Sequence, residues 1–142
     1  MGAPFDGTVD AMSINVLVNA ISARAGGIVT YTSNLIRSLA QRQVAATFVV
    51  PEQFPVPEGG RALRVSAGEL PAVRRFIWEQ TLWRRRVARI APDVLLSSAN
   101  FALLRSPVPQ ALLIREGGLF DPFYLVNVAP SQGLEALLRR NL

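Results

Sequence analysis

The 142-residue sequence contains neither cysteine nor histidine. Without cysteine there can be no disulfide, no thiolate nucleophile and no zinc-cysteine site, and the composition fits a reducing compartment. Without histidine, imidazole acid-base chemistry, Ser-His-Asp triads and most zinc sites are excluded within the chain, so no metal site is expected. Long apolar runs are missing too. None approaches the roughly 18 residues a membrane span needs, and the N-terminus lacks a basic-then-apolar secretory pattern. A cytoplasmic protein, soluble or peripheral on the inner membrane face, is the expectation. Acidic residues are scarce, ten against fifteen basic, for a net charge of +5. The surplus lies mostly between Arg61 and Arg89, with a smaller cluster at Arg139-Arg140. That distribution points to a local anionic partner: lipid, phosphate or nucleic acid. Nucleic acid is the least favoured, because the aromatics are not spread along a basic sheet face.

Half of the residues are apolar, enough for a globular core in one domain. Residues 1–13 mix Gly, Pro and Asp without a period and read as a flexible leader, and residues 14–142 read as the folded part. Residues 14–20 form a short apolar run of the kind a buried parallel strand needs. After Gly26-Gly27, the residues Ile28, Tyr31, Leu35 and Leu39, with Ile36 on the flank, recur at helical spacing. Residues 45–50 read as a second strand, 51–60 as a Pro- and Gly-rich loop, and 62–65 as a short edge strand. A long helix is expected over 71–91, with Val73, Phe76, Ile77, Trp83, Val87 and Ile90 as its core face. Strands follow at 93–97 and 110–114, then an irregular, aromatic-rich loop and a last helix over 132–142. Alternating strands and helices predict an α/β fold with a Rossmann-like parallel sheet flanked by helices. In such sheets ligands bind beyond the carboxyl ends of the strands, at the point where strand order reverses.

Three segments, GGIVTYTSNLIRSLA after an apolar strand, FIWEQTLWRRRVARIAPDVLLSSANFALL, and PVPQALLIREGGLFDPFYL, together resemble the N-terminal domain of a family 4 glycosyltransferase of the GT-B fold. The resemblance spans residues 14 to about 124. It implies an incomplete acceptor-side domain of a nucleotide-sugar-dependent, retaining hexosyltransferase. In that mechanism the acceptor attacks from the face that the diphosphate leaves, without a protein nucleophile. A nucleotide-sugar would be the donor substrate, with no separate cofactor, and a sugar or a lipid-linked molecule the acceptor. The donor-binding C-terminal domain of the family has no counterpart in the sequence, so the chain alone is expected to be inactive. The family often carries a His-Asp pair after the strand that here ends QALLI. Arg115-Glu116 stands at that place, and no histidine role carries over. A non-catalytic Rossmann-like module binding a phosphate ligand or a protein remains the alternative.

Several residues at strand ends are candidates for a site, each with a plainer reading. Gly26 and Gly27 either let the backbone approach a diphosphate at a helix N-terminus, or form a tight turn in which glycine supplies a positive φ. Arg115 is placed to neutralise phosphate. Glu116, the one candidate for a catalytic role, is placed to orient an acceptor hydroxyl or meet donor sugar. Both can equally be exposed loop charges. Ser97, Ser98 and Asn100 either hydrogen-bond an acceptor or serve turn and cap chemistry. Glu79, within a Trp-Glu-Gln triplet that recurs in the family, is expected to be structural and paired with Arg75 or Arg86. On the long helix, Arg74, Trp78, Leu82, Arg85 and Arg89 read as a membrane-facing set of apolar anchors in a basic field, against the plainer reading of a solvated helix. The strand at 110–114 is expected to leave an edge that supports a homo-oligomer.

Overall fold

The computed structural model describes residues 14–98 and 101–115. The leader expected at 1–13 and the segments expected beyond residue 115 lie outside the described residues. Strand β1 (Val16–Asn19) leads through a loop into helix α1 (Gly27–Gln41), followed by β2 (Ala46–Pro51) and β3 (Arg61–Val65). A 3-10 turn at Ser66–Glu69 delivers the chain to α2 (Ala72–Trp78), which runs through a π-helical turn at Glu79–Trp83 into α3 (Arg84–Ile90). Strands β4 (Val94–Ser97) and β5 (Gln110–Leu112) follow. The five strands form one parallel sheet in the order β3-β2-β1-β4-β5. Strand order reverses between β1 and β4, where Asn19 is level with Ser97 on one side and Val49 on the other.

The strand alternation distributes the core between two layers. Leu17, Val49 and Leu95 point to one face and pack with Trp83, Val87, Val65 and Leu103 under the α2–α3 helix. Val18, Phe48 and Val50 point to the other and pack with Ile36 and the partly buried Val29, Leu35 and Leu39 of α1. The sheet is thus covered by helices on both faces, which is why its strands read as nearly unbroken apolar runs.

Both helices are rotated from the orientation their sequences predict. In α1 the buried centre is Ile36 with Thr32, rather than the line through Tyr31. In the α2–α3 helix Val87 and Trp83 are fully enclosed, but Ile77 is 56 % exposed and Val73 and Ile90 are also exposed. Glu79, Trp83 and Val87, spaced four apart, occupy the buried line instead. For Val73 and Ile77 the physical reason is the π-helical turn. Its wider winding shifts the residues after it against the 100° step that a uniform α-helix assumes.

The ends of α1 follow local rules. At its C-terminus Gln43 takes a left-handed conformation (φ 56°), and two amides close back on the helix, Gln43 N onto Ala40 O at 3.0 Å and Val44 N onto Leu39 O at 3.0 Å. This is the Schellman arrangement, which satisfies carbonyls that have no partner inside the helix.

Candidate functional site: the carboxyl edge of the sheet

Beyond Asn19 the chain passes through a loop to Gly26, whose φ of 71° and ψ of −152° lie in a region essentially confined to glycine. Glycine is therefore required there for backbone reasons alone. Gly27 is different. It opens α1 without a positive φ, and a Cβ placed on it would meet nothing within 4 Å. The first turn of α1 has no side-chain cap and no acidic residue, so the positive end of its dipole is not neutralised from within the helix. The guanidinium of Arg115, beyond β5, stacks over the Tyr31 ring at 4.4 Å from its centroid. The segment after β5 thus reaches the N-terminal half of α1.

On the β2 side of the turn lies a crevice of about 500 Å³ between the β1–α1 loop, the β2–β3 loop and the 3-10 turn. Val29, Pro51 and the enclosed Phe54 give it apolar walls, and Gln53 a polar one. At its rim Arg24 pairs with Glu69 at 3.7 Å, both side chains about half exposed. Such a pair is screened by water and readily exchanged for another partner. The β2–β3 wall is held by Arg64 of β3, whose Nη1 donates to the carbonyls of Glu52 and Phe54, the latter at 2.7 Å. The floor is tight, since a Cβ on Gly68 would fall 2.9 Å from a side-chain carbon of Pro51 and 3.0 Å from Ile21 O.

On the β4 side the candidates occupy the wall itself. Ser97 and Ser98 are each 1 % exposed. Ser98 Oγ donates to Asn19 O at 2.9 Å, and Ser97 Oγ donates to Gln110 Oε1 at 3.4 Å, tying β4 to β1 and β5. Asn100 and Glu116 lie outside the described residues. Among the described residues no group of three or more acidic side chains converges on one point.

The Trp78-Glu79-Gln80 triplet fastens the α2–α3 helix to this edge. Trp78 stacks on Trp83 with centroids 6.2 Å apart and planes 11° from parallel. Gln80 donates to Ala102 O and accepts from Leu104 N, each at 2.9 Å, and so shapes the loop after β4. Glu79 is buried, with the Asn19 side chain at the end of β1 beside it. Burial pushes its carboxyl from 4.5 up to about 7, against the pull of the Arg75 guanidinium and the Asn19 hydrogen bond. The structural role expected for Glu79 thus takes another form. Arg75 is near it, Arg86 projects to solvent, and the uncharged polar side chain beside it is an asparagine on the sheet. The sequence reading missed Asn19, for which the available signal was a lone amide closing an apolar strand.

On the outer side of the helix, Arg74, Arg85 and Arg89 are exposed and Leu82 is 51 % exposed, whereas Trp78 is half buried against the core. Trp78, Leu82, Arg85, Arg86 and Arg89 line a groove of about 270 Å³. Among the described residues no acid pairs with any of these arginines. No helix among the described residues is long and apolar enough to cross a membrane.

Comparison with protein-family models, with curated proteins and with solved structures returns no match for this chain.

Proposed function

We propose that the chain is the acceptor-side part of a nucleotide-sugar-dependent, retaining glycosyltransferase, with the donor-binding groups supplied from outside it. The observation that carries the reading is the unobstructed backbone at Gly27. It opens an uncapped helix beside the point where strand order reverses, with Arg115 stacked on the same helix. Amides at that turn and the Arg115 guanidinium would face the diphosphate of the donor, where positive partial charge lowers the cost of charge developing on the leaving group. The crevice between Phe54 and the Arg24–Glu69 pair offers apolar walls and exchangeable polar groups to an acceptor. Glu116 and Asn100 remain the candidates for orienting its hydroxyls. In a same-face displacement the acceptor oxygen bonds to the anomeric carbon as the diphosphate departs and takes the acceptor proton, so the chain need supply no nucleophile.

Gly27→Ala tests the reading, because the added methyl group meets nothing and strains nothing within the fold. Titration of the wild-type chain with pyrophosphate and with several nucleotide-sugars should show weak binding that Gly27→Ala and Arg115→Ala both reduce, while thermal stability is kept or slightly raised by Gly27→Ala. Absence of binding to every one of these ligands would refute the reading. Equal binding of pyrophosphate and all nucleotide-sugars would favour the non-catalytic phosphate-binding module.

The groove on the α2–α3 helix supports a second element of the proposal, contact with an anionic membrane that presents a lipid-linked acceptor. Arginines that meet no acid among the described residues, around Leu82 and the edge of Trp78, suit a phosphate-rich surface, each basic residue adding about 1 kcal/mol near an anionic leaflet. Flotation with anionic vesicles should carry the protein and neutral vesicles should not. Equal, negligible binding to both would end this part of the proposal.

A further inference from the structure

A hollow of about 380 Å³ lies at the end of the sheet opposite the proposed reaction, between α1, β2 and the turn into β3. Because α1 runs against the strands, its carboxyl end meets the amino ends of β2 and β3, where Thr47 is level with Arg61. Small residues make the space. Ala40, Ala45, Ala46, Gly59 and Gly60 line it, and none carries an atom beyond Cβ. Two of them are fixed by the backbone and its packing: Gly59 has a φ of 77°, a conformation that side chains disfavour, and a Cβ on Gly60 would lie 2.5 Å from Ile36 Cγ2. The floor is apolar, with Ile36 and Phe48 both 1 % exposed.

The backbone around the hollow is largely committed. The amides of Gln43 and Val44 close onto the carbonyls of Ala40 and Leu39, Gly60 N donates to Pro57 O at 3.1 Å, and Ala45 O accepts from Val16 N at 2.8 Å. Polar recognition therefore falls to two exposed side chains of the lining, Arg61 and Gln43. Arg61 meets no acid among the described residues, where the one ion pair joins Arg24 to Glu69. Its guanidinium is a permanent cation that only donates, in a fork that matches a carboxylate. The partial negative charge at the carboxyl end of α1 opposes an anion there, but the Leu39 and Ala40 carbonyls are already capped by the two amides. We propose that this hollow binds a small apolar monocarboxylate, whose body fills the space over Ile36 and Phe48 and whose carboxylate pairs with Arg61. At the packing density of protein interiors the space holds roughly ten to fifteen non-hydrogen atoms, the size of an arylacetate and too small for a nucleotide-sugar.

The inference does not depend on the proposed function, since the hollow lies away from the carboxyl edge and its test uses no nucleotide. Phenylacetate and its neutral counterpart phenylacetamide, titrated into the complete chain and followed by backbone amide chemical shifts, separate the charged part of the site from the apolar part. Phenylacetate should give saturable shifts at Ala40, Val44, Gly59 and Gly60, with a Kd in the millimolar range or tighter. Phenylacetamide should bind at the same place about fivefold more weakly, the worth of one ion pair at an exposed rim. Arg61→Gln should weaken phenylacetate by the same factor and leave phenylacetamide unchanged. In Ala40→Leu, a longer side chain at a helical position that accepts leucine fills the hollow, and neither probe should bind. Four outcomes would overturn the proposal: no saturable shifts at these amides, shifts along the arginine-bearing α2–α3 helix in their place, equal affinity for the two probes, or full binding by Ala40→Leu. The spread of amide shifts shows whether Ala40→Leu keeps its fold, and Arg61→Gln, changed at an exposed strand end, tests the site without it.

Discussion

Trp83 is the side chain on which the α2–α3 helix turns, and replacing it gives the sharpest test of the packing. It is fully enclosed, lies in the same cluster as Leu17, Val49 and Leu95, and stacks on Trp78. Its indole N–H has no hydrogen-bond partner among the described residues. Trp83→Ala removes the whole ring and should cost about 3–5 kcal/mol, including the cavity it leaves, of which about 0.5–1.5 kcal/mol belongs to the stack with Trp78. Trp83→Phe is more informative. It loses a smaller apolar area, but it also removes a buried donor whose desolvation costs about 1–3 kcal/mol. The two effects oppose each other, and the variant should lie within about 1 kcal/mol of wild type. Urea unfolding followed by circular dichroism and by the fluorescence of the remaining tryptophan gives both values, and the slope of stability against urea should not change. If Trp83→Phe proves as costly as Trp83→Ala, the indole N–H has a partner and this account of the core is wrong.

Other predictions concern the edge, the acid and the assembly. Glu79→Gln should raise stability by about 3 kcal/mol at pH 8 and by almost nothing below pH 4.5. The sign follows because a raised carboxyl gives its full stability below 4.5 and loses it as pH rises through about 7, so coincident denaturation curves for the two proteins at pH 8 would contradict it. Gly60→Ala should cost about 1–3 kcal/mol by overpacking, because its Cβ would lie 2.5 Å from Ile36 Cγ2; a Tm equal to wild type would show that Ile36 yields freely. Arg64→Ala should speed proteolysis between Glu52 and Phe54, where the guanidinium holds the loop, and unchanged cleavage would show that the clamp is dispensable. The oligomer expected from an open strand edge should appear in light scattering at working concentration, and a monomer would count against it.

Much of the architecture was legible from residue order. Four short apolar runs and one edge segment became the five parallel strands, since β-branched and aromatic residues between turn formers leave few other solutions. The places of Gly26 between β1 and α1 and of Arg115 after β5 followed from the order of the elements. The faces of the helices were less legible. A uniform helical step put Ile77, Val73 and Ile90 in the core; all three are exposed, and the π-helical turn takes Ile77 and Val73 out of register with Trp83 and Val87. Ser97 and Ser98 also show the limit: their type and place suit a ligand, but both hydroxyls are committed to the sheet.

By itself the sequence determined the chemistry this chain must do without, the order of its elements and the glycines at its first turn, because composition, periodicity and backbone propensity are local properties. Tertiary structure decided which glycine is needed for conformation and which leaves room, and it brought Asn19 and Glu79, 60 positions apart, to one point. The raised pKa of Glu79 likewise belongs to the fold. It arises from burial, and burial depends on how the α2–α3 helix is rotated against the sheet, which only the packing of the whole domain settles.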